Sequence, residues 1–180
     1  MDTVELTAVM AKISLNNHFH GVIASDQLPT DPIVTPTSMI INTDPSYRGG
    51  EHWLAVYITE DCVAYFFDSF GNEANHDRFP KSIYNFLRSV CTEVQSSTMQ
   101  VQSYTEVTCG HHCVYFLHHM YKGMTYDQFL SKYSDDLINN DRIVQSFVRK
   151  MQPCEYVCND LTCIQHVRYG DLFDFFNKLC

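Results

Sequence analysis

Two apolar runs, "HWLAVYI" (52–58) and "CVAYFF" (62–67), are separated by only the three polar residues "TED". Aromatic and β-branched residues in runs of this length build strands, and so short a connection can join two strands only as an antiparallel hairpin. A sheet containing this hairpin is therefore required. If Ile58 pairs with Cys62 across the turn, His52 lies directly opposite Asp68, and cross-strand partners share a face. A carboxylate beside an imidazole holds the tautomer of the ring and stabilises its protonated form. The plainer alternative is that the two residues simply end two strands at the surface. A slip of one residue would put them on opposite faces.

The second constraint is "EVTCGHHCVYFLHHMYKG" (106–123). Cys113, Phe116, Leu117 and Met120 recur at the helical period and are expected to face the core, with Gly123 able to stop the helix in a left-handed cap. That helix places Cys109 in its first turn, where unpaired backbone N–H groups favour a thiolate. Cys113, one turn on, fits core packing. His111, His112, His118 and His119 are read as structural or solvated.

The remaining segments decide the class. Residues 3–15 are compatible with a short amphipathic helix, and Pro29, Pro32, Pro36 and Pro45 mark a loop-rich stretch interrupted by "SMIIN", a short helix or strand. A helix is predicted over 81–91, a polar strand near "MQVQSY" (99–104), and mostly helical structure beyond 126. Strands and helices mix without regular alternation, so the expected class is α+β, a mixed or antiparallel central sheet flanked by helices. With 180 residues, 45% of them apolar, the chain has material for one core, and a single domain over 1–180 is expected. The net charge of −9 repels phosphate backbones, which argues against nonspecific nucleic-acid binding but leaves a local basic patch open. No apolar run reaches the ~18 residues of a membrane span, and "MDTVELTAVMAKISLNN" lacks the apolar centre of a signal peptide. The expectation is an intracellular protein, neither secreted nor in a membrane. Its eight cysteines then point to reduced, catalytic or metal-binding roles.

"GGEHWLAVYI", "YFFDSFG", "VQSYTEVTCG" and, more faintly, "IINTDPSYRGGEHW" together resemble the adenovirus endopeptidases (adenains) across residues 18–125. The resemblance implies a papain-like cysteine protease fold with permuted order, His then acid then Cys, as in the SUMO and ubiquitin-like proteases. Carried onto this chain, it implies His52 as base, Asp68 as its orienting acid, Cys109 as nucleophile, and Gln102, seven residues before Cys109, as an oxyanion donor. Asp68 stands where adenains carry Glu; the shorter acid is the form used by the cellular relatives. Trp53 either shields the ion pair, lines the cleft or fills the core. Gly110, like Gly49 and Gly50, allows close backbone approach at the cleft. The chemistry needs no cofactor, but Cys91 matches the cysteine through which adenains bind an activating peptide by a disulfide; the alternative is a buried helix-end cysteine. A further variant pairs Cys91 with Cys180. The partners implied are protein substrates with small residues, in particular Gly, near the cleavage site. The family is also stimulated by DNA, which the charge of −9 argues against here. A virus-encoded enzyme cleaving viral structural precursors would work in the host nucleus or cytoplasm and in the virion.

Two other functions remain open. The same triad serves isopeptidases of the deubiquitinase and deSUMOylase type. "CEYVCNDLTCIQH" offers Cys154, Cys158, Cys163 and His166 to a zinc ion, although these spacings are not those of paired zinc knuckles. A chain organised around that module would be a non-catalytic interaction protein.

Overall fold

The computed structural model describes residues 1–14 and 19–151. Its elements run α1 (Thr3–Ile13), β1 (Phe19–Ala24), β2 (Thr37–Asn42), β3 (Trp53–Ile58), β4 (Val63–Phe67), α2 (Lys81–Val90), β5 (Glu93–Ser96), α3 (Cys109–Tyr121), α4 (Tyr126–Leu130) and α5 (Leu137–Met151). The five strands form one sheet in sequence order. Its centre is antiparallel (β2 with β3, β3 with β4), while β1 with β2 and β4 with β5 are parallel. The α+β class expected from the sequence is the one observed.

Both faces of the sheet are covered. Ile40, Ala55 and Phe67 pack against α3 and its neighbours, whereas Met39, Ile41, Leu54, Val56, Ile58, Ala64 and Phe66 pack under α2. β2 is buried on both sides, so its apolar residues Met39, Ile40 and Ile41 run on without alternation. That is why "SMIIN" did not declare its type by periodicity. Helix α3 is buried on most of its circumference, including Cys113, Phe116, Leu117 and Met120. The left-handed Gly123, at φ 75°, follows its end as expected.

Three features differ from what the sequence signals. The turn is Glu60-Asp61-Cys62 rather than "TED": the Thr59 N–H donates to the Val63 carbonyl, the Cys62 N–H donates to the Thr59 carbonyl, and Cys62 adopts a left-handed φ of 60°. A three-residue hairpin loop closes in this way, a tight turn followed by one left-handed residue. Ala55 therefore pairs with Phe67 and Ile58 with Ala64, displaced by two residues from the expected register. A two-residue displacement preserves the face. Second, the polar strand lies at Glu93–Ser96, and 99–104 is irregular because the chain there has passed the end of β4, with the N–H groups of Val101 and Gln102 both donating to the Ser69 carbonyl. Third, β1 falls in a stretch the sequence did not mark as a strand; its Gly21, at φ 148°, adjoins an irregularity in the ladder. Among the described residues no helix is long and apolar enough to cross a membrane.

Candidate active site

His52 and Asp68 sit just beyond adjoining ends of β3 and β4, where the chain leaves the sheet. The Thr43 N–H donates to the His52 carbonyl, which extends the β2–β3 ladder by one step and fixes the His52 backbone. Its Nε2 lies 2.6 Å from Asp68 Oδ1, and its ring stacks on Phe70 at a centroid distance of 5.1 Å. The β3–β4 pairing ends at Ala55 and Phe67, so Asp68 reaches the ring from just beyond the strand and Phe70 stacks on it from the turn that follows. The Asp68 carboxylate also accepts from the Phe70 N–H, the Asn72 N–H and the Asn72 side-chain amide. Burial alone would push Asp68 up, but His52 and Asn72 hold it below the usual carboxylate range. For His52, burial pulls downward and is outweighed by hydrogen bonding to Asp68 and Cys109 and by their charges, which raises the imidazole to about 9.

Cys109 opens α3 and is 7% exposed. Burial disfavours its thiolate, yet hydrogen bonding to His52, the imidazolium charge and the N–H groups of Trp53 and Gly110 bring the thiol below its ordinary value. With Nε2 taken by Asp68, the Nδ1 nitrogen of His52 is left for the sulfur. A raised imidazole and a lowered thiol both favour the imidazolium–thiolate form of the pair. Cys113 is fully buried, its Sγ 3.4 Å from the Trp53 carbonyl, and burial pushes it well up, as a packing cysteine requires.

Gln102 is 2% exposed and held at both ends of its amide: Oε1 accepts from the Ser69 hydroxyl at 2.7 Å, and Nε2 donates to the Glu106 carbonyl at 2.7 Å. One N–H of that amide is thereby used and a second remains. The loop carrying Gln102 is locked to the turn after Asp68 through Gly71. A Cβ at Gly71, where φ is 74°, would lie 2.7 Å from backbone atoms of Thr98, Met99 and Gln100. Ser69, Gly71 and Asn72 were not singled out as site residues, although an acid followed by Gly-Asn, as in "DSFGN", carries the turn chemistry that produces these contacts.

Trp53 does more than fill space. Its indole N–H donates to the Met1 carbonyl, and its ring edge lies 3.4 Å from where a Cβ on Gly110 would stand, so Gly110 admits the close approach of α1 and Trp53 to the start of α3. A cavity of about 430 Å³ adjoins this side, lined in part by Asn42, Gly49, Gly50 and Trp53, and one of about 160 Å³ adjoins His52 and Phe70 on the other. A larger one, about 510 Å³ between Phe19 and Thr37, contains none of the candidate residues. Cys91 caps the C-terminus of α2 and is buried; burial first, and the neighbouring Cys62 second, push its thiol up to about 11. The candidate zinc ligands Cys154, Cys158, Cys163 and His166, and Cys180, lie outside the described residues, among which no cluster of three metal-ligating side chains occurs.

Comparison with known proteins gives the family. The protease of bovine adenovirus B serotype 3 is 32% identical over 119 residues, which are 58% of this chain and 53% of that protein. The chain thus spans about half the length of that relative. The protease of ovine adenovirus D serotype 7 is 30% identical over 144 residues, 70% of this chain and 69% of its own. Two solved structures have similar outlines: the ChlaDUB1 effector of Chlamydia trachomatis (TM-score 0.49, 15% identity, 82% of this chain and 69% of that one) and the ASFV pS273R protease (0.45, 20%, 60% and 42%). The family model of the adenovirus endoprotease matches residues 19–151. That match runs from β1 to the end of α5 and takes in His52, Asp68, Gln102 and Cys109; the chain belongs to the adenovirus endoprotease family.

Proposed function

We propose that this protein is a cysteine endopeptidase in which His52, Asp68 and Cys109 form the catalytic triad and Gln102 donates to the oxyanion. The observation that carries the reading is the convergence of three separate segments: a ring at the edge of β3, an acid in the turn after β4, and a sulfur at the mouth of α3 whose thiolate the ring stabilises. The Cys109 thiolate attacks the scissile carbonyl carbon, and its electron pair forms the C–S bond while the carbonyl oxygen becomes an oxyanion. The free N–H of the Gln102 amide and the backbone N–H of Cys109 stabilise that charge. His52 then gives its proton to the leaving amine, and as a base it takes one from the water that releases the acyl group. Loss of one oxyanion donor costs on the order of 100-fold in turnover.

Family membership supports viral structural precursors with Gly near the cleavage site as substrates, cleaved in the infected cell and the virion. Attachment of an activating peptide at Cys91 belongs to the same proposal; a thiol buried and raised to about 11 would require α2 to open at its C-terminus before exchange. Labelling with a short peptide vinyl sulfone ending in Gly-Gly, compared with full-length ubiquitin-like probes carrying the same warhead, tests the substrate class. The expected result is a single adduct at Cys109 from the short probe and none from the folded ones. Capture by the folded probes alone would assign an isopeptidase instead.

A further inference from the structure

A second buried His–Asp pair lies one turn below the nucleophile, and the chemistry described so far leaves it without a task. Asp141 of α5 is 1% exposed. It accepts from three groups: the Ser103 N–H at 3.0 Å through Oδ2, and the Thr108 hydroxyl and His112 Nε2 through Oδ1. The bond to a carboxylate makes Nε2 the protonated nitrogen of His112, so Nδ1 accepts from the Tyr133 hydroxyl at 3.0 Å. Burial pulls His112 down despite the neighbouring carboxylate, which keeps the ring neutral near pH 7. Each donor to Asp141 is therefore specified, and the network is complete.

The positions of those donors give the network its meaning. Ser103 follows Gln102, and Thr108 precedes Cys109: they are the chain neighbours of the two groups assigned to the oxyanion. Thr108 is also the N-cap of α3, where a Thr hydroxyl ordinarily accepts from an N–H of the first turn. Here it makes no cap hydrogen bond; its hydroxyl is turned toward Asp141, to which it donates. The first backbone N–H of α3 with a carbonyl partner in its own turn is His112, bonded to the Thr108 carbonyl. The N–H of Cys109, ahead of that first bond, has no carbonyl partner within the helix.

We propose that Asp141 is a positioning residue that holds both walls of the oxyanion site, anchoring Gln102 through Ser103 and Cys109 through Thr108, and diverting the Thr108 hydroxyl from the helix mouth. This rests on the peptidase reading above, and the test separates the two. Asp141 touches neither the sulfur nor His52, so its loss leaves the nucleophile intact and weakens stabilisation of the tetrahedral intermediate. In Asp141→Asn the amide cannot accept from all three donors at once. A fluorogenic Gly-Gly peptide amide is expected to show kcat lowered about 10- to 100-fold with KM changed less than about threefold, while alkylation of Cys109 by iodoacetamide keeps the rate and pH profile of the unmodified protein.

The decisive comparison is a double-mutant cycle with Gln102→Ala. Asp141→Asn acts in part through the wall that Gln102 forms, so in the Gln102→Ala background its further cost is expected to shrink at least about threefold, the remainder acting through Thr108 on the Cys109 N–H. Should Asp141→Asn fail to fold, Thr108→Val removes the hydroxyl that anchors the Cys109 wall and is expected to lower kcat with Cys109 alkylation unchanged, and Thr108→Ser, which restores the hydroxyl, is expected to recover kcat. Full cost of Asp141→Asn in both backgrounds, a kcat like that of the unmodified protein, or loss of Cys109 alkylation in proportion to kcat overturns the inference while the peptidase reading stands. Unchanged kcat in Gln102→Ala alone removes the oxyanion assignment, and the inference falls with it.

Discussion

Asp68 is surrounded by donors alone: the His52 ring, two backbone N–H groups and the Asn72 amide all point at its carboxylate. An amide in its place sets an NH2 group against at least one of them. Asp68→Asn should therefore lower kcat/KM on the order of 1,000-fold, through misorientation of the imidazole rather than loss of the nucleophile. The same pair fixes the pH dependence. His52 at about 9 is protonated below that value, and Cys109 is a thiolate above its own lowered value, so the reactive pair is the main species between the two. kcat/KM should rise through the thiol ionisation, stay level, and fall through about 9 as His52 loses the proton that the leaving amine needs. A profile on a peptide amide that climbs steadily through that region would show the sulfur ionising without its partner. At this scale the sequence was legible where chemistry is concentrated in one side chain. His52, Asp68 and Cys109 could be read from strand face and helix start, whereas Ser69 and Asp141 could not, because a Ser or an Asp reveals nothing until the fold brings its partner from 33 or 38 residues away.

At the scale of elements, the hairpin shows how a wrong register can still give the right face. Side chains alternate with period two, so the two-residue displacement kept His52 and Asp68 on one side, with Phe70 stacked on the ring. The edge strands were the least legible. β5 is a half-exposed polar segment that pairs on one side only, and β1 carries a glycine at its irregularity, so neither has the apolar signature of the central strands. The loop bearing Gln102 depends on a contact between elements rather than on its own residues. Gly71→Ala would force a side chain with a left-handed φ against the backbone of 98–100. It is expected to destabilise the fold by about 1–3 kcal/mol. Because the same clash displaces the Gln102 loop, kcat should fall more than KM rises, measured on protein shown to be folded by circular dichroism.

For the whole molecule, one sheet with a core on each face carries the site on the rim where strand ends meet the start of α3. Phe116 stands at the centre of one core, fully buried and stacked on Phe67 at 5.0 Å. Phe116→Ala should cost about 3–5 kcal/mol, read as a lowered urea midpoint with unchanged slope. The central claim, that the fold brings an imidazole ring to the sulfur at the start of α3 and makes it a thiolate, is tested most directly by the rate of Cys109 alkylation with iodoacetamide as a function of pH, in the unmodified protein and in His52→Ala. The account predicts a rate that levels off well below pH 9 in the first, and in the second a reactivity that appears only as an unassisted buried thiol ionises. Identical profiles for the two proteins would contradict it.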